Sequence, residues 1–159
     1  MEKSRLRQAI LEQLLAELDT QTRAALLARD EATHEESKPE NQYDMHAQEA
    51  AYLAEGQARL AAELQETLAI YRSLPLPAFA PEQAIDVGAL VTLEAQGKFS
   101  GYFLGPRRGG LEISLDGKAI TLVTPQSPLG RQLSGRRLGD LVQLPGRGGA
   151  VPHRIAAIG

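Results

Sequence analysis

Apolar residues recur at alternating spacings of three and four along the first third of the chain. Leu11, Leu14, Leu18, Ala25, Ala28 and Ala32 hold the pattern, Gln21 is its one polar member, and Leu15, Thr22 and Leu26 widen the stripe. This period matches the helical turn and predicts a helix with one buried face that ends near Thr33. A second run, Ala47, Ala50, Ala54, Gln57, Ala61, Leu64, Leu68 and Tyr71, flanked by Leu53 and Leu60, repeats the rhythm. Two narrow-striped helices joined by the short polar segment 33–41 predict an antiparallel coiled-coil hairpin. Pro39 suits a first helical turn, where its missing N–H would be unpaired anyway, so the second helix is expected to begin near it. Arms of about 30 residues at about 1.5 Å each give a rod on the order of 45 Å long.

The pattern then changes. Residues 74–81 (LPLPAFAP) hold three prolines in eight positions, cannot continue a helix, and are expected to form a stiff linker. From Ile85 onward, short β-branched and apolar runs separated by glycine turns predict strands at 90–94, 101–104, 111–115, 119–123, 141–144 and 154–158. Asp116-Gly117 is a hairpin-turn pair, and Ser127 is a candidate cap for a short helix over Pro128–Leu133. The expected organisation is α+β: a coiled-coil hairpin over 1–74, a proline-rich linker over 75–84, and over 85–159 a domain of twisted antiparallel sheet with a short helix.

Composition narrows the chemistry. The 159 residues include no Cys, which excludes disulfides, thiolate metal sites and a Cys nucleophile. No apolar run approaches the roughly 18 residues of a membrane span. Glu12, Glu17 and Asp19 interrupt what would be the apolar core of a signal peptide. A soluble, cytoplasmic protein with no membrane partner is expected. The net charge of -3 conceals an asymmetry: residues 1–84 carry 15 acidic against 8 basic groups, and residues 85–159 carry 5 against 9.

Familiar catalytic signatures are missing. Ser127 and Ser134 lack a Gly-x-Ser-x-Gly elbow, and His153 has no acid beside it in sequence. The glycine runs at 105–110 and 146–149 lack the Gly-Lys-Ser/Thr ending of a phosphate-binding loop and are expected to be hairpin loops. His34 and His46 bracket the hairpin tip without a zinc spacing. The tip is acidic, with Asp30, Glu31, Glu35, Glu36, Glu40 and Asp44. Glu36, Glu40 and Asp44 are spaced four apart, and such carboxylates suit a Mg²⁺ that fills its remaining positions with water and phosphate oxygens. In the basic half, Arg107, Arg108, Arg131, Arg136 and Arg137 suit nucleic acid phosphates or an acidic protein surface. Only Phe99, Tyr102 and Phe103 lie near them in sequence, too few for base stacking, so a protein surface is the preferred partner.

The run from Thr124 to Gly146, with Ser127-Pro-Leu-Gly-Arg-Gln-Leu133 followed by Gly135-Arg-Arg-Leu-Gly-Asp140, resembles the C-terminal domain of the GreA/GreB transcript-cleavage factors. Residues 89–94 and 101–106 are similar to that domain's opening strands, and Glu40-Asn41 to the family's Glu-Asn tip. The resemblance spans nearly the whole chain and implies an FKBP-like second domain. It implies an accessory factor and not an enzyme, one that grips the rim of bacterial RNA polymerase's secondary channel and passes its hairpin inward toward the RNA. Docking would fall to Ser127, Pro128, Leu129, Gly130, Arg131, Arg136, Arg137 and Asp140. Glu36 and Glu40 would assist catalysis, and with Asp44 they would share the polymerase's Mg²⁺, the protein having no cofactor of its own and acting as a monomer. The family's cleavage-competent tip carries an Asp three residues before the Glu of Glu-Asn; here that position is Ser37, with Glu36 beside it. Relatives with altered tips bind the channel and modulate or inhibit the polymerase instead. The alternative from the fold is a prolyl-isomerase-like chaperone or a general coiled-coil interaction module.

Overall fold

The computed structural model describes residues 2–33 and 45–159. They form an α+β protein with two long N-terminal helices, a six-stranded sheet and a short third helix. The chain divides into two compact units, Ile10–Arg72 and a second made of Met1–Ala9 together with Ser73–Gly159.

The helical unit is built from α1 (Glu2–Thr33) and α2 (Met45–Ser73). Its buried side chains are Ile10 and Leu14 on α1 and, on α2, Thr67 together with Leu64, Leu68 and Tyr71. The last three continue the expected stripe. The expected widening does not occur: Leu15, Leu26, Leu53 and Leu60 are all exposed, and so is Thr22. Adjacent helix positions differ by about 100° in direction, and a two-helix seam has room for only a narrow face, so the flanking leucines turn to solvent. Gln21 and Gln57, the polar members of the two stripes, each bury Oε1 without a hydrogen-bond partner among the described residues. The expected start of the second helix near Pro39, and the side chains of Ala47 and Ala50, lie outside the described residues.

The sheet unit contains β1 (Leu90–Ala95), β2 (Lys98–Leu104), β3 (Glu112–Leu115), β4 (Lys118–Val123), α3 (Pro128–Leu133), β5 (Leu141–Gly146) and β6 (Gly149–Ile158). The strand order is β3-β4-β2-β1-β6-β5. All neighbours are antiparallel except β2 and β4, which run parallel. The sheet is antiparallel as expected apart from this one pair. The segment after β2 passes over to the sheet edge to start β3, and β4 then returns between them. For the same reason residues 105–110 are a crossover and not a hairpin loop; Gly105 and Gly110 donate to the carbonyls of Val123 and Leu122 at 2.8 and 2.7 Å. Residues 146–149 do close a hairpin.

Two tight turns use left-handed backbone. Gln96 and Gly97 have φ of 53° and 76°, and Asp116 and Gly117 have φ of 52° and 76°. Both φ values positive is the primed turn that matches strand twist. Pairing runs right up to these turns, at Ala95 with Lys98 and Leu115 with Lys118, so β2 starts three residues earlier than expected.

One core cluster joins Ile85, Ala89, Val91, Leu93, Leu104, Val123, Leu133, Val142 and Ile155. The first turns of α1 are tied into the same unit. Lys3 Nζ donates to the carbonyls of Pro77, Gly88 and Gly159, and lies 5.1 Å from the centroid of the Phe79 ring. Arg7 donates to the Leu74 carbonyl at 2.9 Å. The proline-rich segment thus has fixed hydrogen-bond partners at its start and middle.

Candidate functional site: the surface around the short helix

The run that carries the motif, Ser127 to Asp140, separates into residues that build the backbone and residues left facing out. Ser127 caps α3: its Oγ accepts from Gly130 N at 3.0 Å and donates to Thr124 O at 2.7 Å. Pro128 takes the first helical turn, where no N–H is required. Gly130 is buried, and a Cβ there would stand 1.7 Å from the Thr124 carbonyl oxygen. Only glycine allows that approach. Leu129 packs against the core cluster. Asp140 accepts from Arg137 N at 2.9 Å, closing the turn that leads into β5.

Further bonds fasten this segment to its surroundings. Ile85 N donates to Arg136 O at 2.7 Å and Gly135 N to Ile85 O at 2.9 Å. The Arg137 guanidinium donates to the Glu82 carbonyl, and Arg136 Nε to the Gln132 carbonyl at 3.2 Å. Arg131, Arg136 and Arg137 are exposed, as are Leu138 and Leu141 beside them. The result is a rigid ledge presenting guanidinium groups next to apolar side chains, a surface suited to an acidic protein partner. Arg107 and Arg108 are exposed on the crossover instead.

Of the residues expected to act, the structure therefore brings together Ser127, Pro128, Leu129, Gly130, Arg131, Arg136, Arg137 and Asp140. Glu36, Glu40 and Asp44, with Ser37, His34 and His46, belong to the tip segment, whose side chains lie outside the described residues. Among the described residues no three His, Cys, Asp or Glu side chains group as metal ligands. No helix among them is long and apolar enough to cross a membrane. His153 Nδ1 lies 2.9 Å from the Val151 carbonyl, a local contact two residues away.

An open hollow of about 340 Å³ beside the β1–β2 turn is lined by Phe99, Tyr102, Pro145 and His153, among others. Phe99 is 69% exposed, so its ring does not enclose the space as a proline-binding pocket would require. Three structural features went unread in the sequence: the buried Lys3, the Arg5–Asp116 pair, and the contact of Gln132 with Gln143. Each joins residues far apart or on different elements, and none leaves a periodic signal.

No protein-family model matches the chain, and no curated protein matches it. Among solved structures the chain is similar to GreA factor homolog 1 (Gfh1) of Thermus thermophilus, at 20% identity over 94% of each chain with a TM-score of 0.38. It is similar to Thermus aquaticus Gfh1 at 20% identity over 92% of each chain, with a TM-score of 0.40. It is also similar to the prokaryotic transcription elongation factor GreA/GreB from Nitrosomonas europaea, at 19% identity over 62% of this chain and 78% of that one, with a TM-score of 0.39. These values leave activity and partner unassigned.

Proposed function

We propose that this chain is an accessory factor of bacterial RNA polymerase, not an enzyme in its own right. Its sheet unit docks at the rim of the secondary channel through the ledge that carries Arg131, Arg136 and Arg137. The observation that carries this reading is the division of labour in the Ser127–Asp140 run. Serine, proline, glycine and aspartate are used up in building the ledge, whereas the arginines stay exposed to a partner, Arg136 and Arg137 each giving a bond to a nearby carbonyl. A basic surface on a net acidic protein concentrates attraction at one place. The carboxylates of Glu36 and Glu40, with Asp44 nearby in sequence, would then be offered to a Mg²⁺ that the polymerase already holds, where a metal can activate water against RNA.

The test is a backtracked elongation complex supplied with Mg²⁺ and the full chain. Shortening of the transcript that disappears with Glu36→Ala or Glu40→Ala supports cleavage stimulation. Slowed elongation without shortening supports an inhibitory factor, the outcome that Ser37 in place of the family's Asp favours. No effect of either kind overturns the reading.

A further inference from the structure

Lys3 Nζ sits in a cage built by distant parts of its own unit. It donates to the oxygens of Pro77, of Gly88 at 2.9 Å and of Gly159 at 3.2 Å, and the centroid of the Phe79 ring lies 5.1 Å away. An ammonium has three N–H donors and no acceptor, so these three oxygens satisfy it in full. The ring adds a face that attracts a cation. With Lys3 only 7% exposed, water has little share in the site.

The cage does not depend on the lysine for its shape. Gly159 exchanges both backbone bonds with Leu90, at 2.8 and 3.0 Å. Gly88 N donates to Leu104 O at 2.8 Å, and its backbone is held at φ 97°. Phe79 packs against the core cluster, and the ring of Pro77 fixes its own φ. None of these restraints passes through α1. The acceptors are therefore in place before an ammonium arrives, and such preorganisation is what lets a small group be bound selectively.

We propose that this cage is a recognition site for a primary alkylammonium, which Lys3 occupies as a tethered ligand, and that it takes the same group from a free molecule once the lysine head is removed. The geometry selects by head group. A quaternary ammonium keeps the attraction to Phe79 but has no N–H for the three oxygens. A guanidinium spreads its donors in a planar fork and cannot direct three of them from one nitrogen. Tethering keeps the site filled in the intact chain, because a free amine would have to exceed the effective concentration of a side chain on the adjoining helical turn. The start of α1 is thus fastened by head-group recognition as well as by packing.

The experiment uses the full chain carrying Lys3→Ala, which keeps Cβ, so that propylammonium supplies the missing three carbons and the nitrogen. Propylammonium chloride is titrated while the amide resonances of Gly88 and Gly159 and the melting temperature are followed. Tetramethylammonium, propylguanidinium and sodium chlorides are the controls at equal ionic strength. Propylammonium moves both resonances along a saturable curve in the millimolar range and raises the melting temperature, and the controls do neither. Wild type shows no saturable change, because its site is filled. If Lys3→Ala is unfolded by itself, the titration reads refolding by circular dichroism, with the same selectivity expected. Equal effects of propylammonium and any control, a folded variant without a saturable shift, an unfolded one that propylammonium does not refold, or saturable binding to wild type at the same concentrations each overturns the proposal.

Discussion

Lys3 Nζ donates to the Gly88 carbonyl at 2.9 Å, joining the first turn of α1 to a residue 85 positions further along the chain. The lysine is 7% exposed and serves the Pro77 and Gly159 oxygens as well. Gly88 itself is held at φ 97°, and a Cβ there would stand 3.1 Å from the Pro75 carbonyl oxygen and 3.2 Å from Pro77 Cδ. Lys3→Met keeps most of the buried stem but strands these carbonyls. It is expected to destabilise the sheet unit by about 3 kcal/mol, since hydrogen bonds to a charged group contribute roughly 1.5–3 kcal/mol each. Denaturant unfolding followed through the sheet signal checks the value.

Burial pushes the Lys3 ammonium below the ordinary lysine range. A lysine with a lowered folded value binds its proton less tightly when folded than when unfolded. Its contribution to stability therefore rises as pH climbs from the lowered value toward the ordinary one. The side-chain resonances of Lys3 should titrate below the ordinary lysine range.

The Arg5 guanidinium makes a two-point contact with Asp116, at 2.8 and 2.6 Å. Those hydrogen bonds hold the Asp116 carboxyl below the usual range, and the charges of Arg5 and Lys118 act in the same sense. Stability from this pair is present above the ordinary aspartate value and is lost as pH falls through the lowered one. Both side chains are more than half exposed, so the pair is salt-sensitive. Arg5→Ala should return the Asp116 titration, followed by carboxyl chemical shift, toward the ordinary midpoint.

At Gly130 a methyl group would meet the Thr124 carbonyl head-on. Gly130→Ala should cost on the order of 3 kcal/mol because backbone must move, whereas Ser127→Ala loses the cap and the bond to the Thr124 carbonyl, about 1–2 kcal/mol. Calorimetric melting of the two variants gives this ranking directly. The reverse ranking would mean that the cap, not the close approach, holds the ledge.

The second-helix seam at Gln57, Ala61, Leu64, Leu68 and Tyr71 was legible because one period runs through it without ambiguity. The first helix was legible in the same way along Leu14, Leu18, Gln21, Ala25 and Ala28, which are buried or half-buried, and in its end at Thr33; the choice between the adjacent apolar residues Ile10 and Leu11 was not, and Ile10 is fully buried while Leu11 is half-buried. The Ser-Pro signal placed α3 at its observed limits, Pro128–Leu133. Parallel pairing of β2 with β4 was not legible, because it depends on where a crossover lands rather than on any residue within the strands. Burial of Lys3 was hidden for another reason: beside Arg5 and Arg7 it has the composition of a solvated helix face. In the candidate site, the motif marked the ledge but did not distinguish scaffold from outward residues. That distinction came from the hydrogen bonds of Ser127, Gly130 and Asp140.

The most direct test of the proposed role is binding of the full chain to bacterial core RNA polymerase, measured by co-sedimentation with wild type and with Arg131→Glu/Arg136→Glu. Both arginines are exposed, so the reversal of charge should leave the fold intact by circular dichroism. The account predicts that the wild type travels with the polymerase and that the variant is left behind, with affinity reduced by at least about tenfold. A wild type that does not bind, or a folded variant that binds equally well, would contradict it.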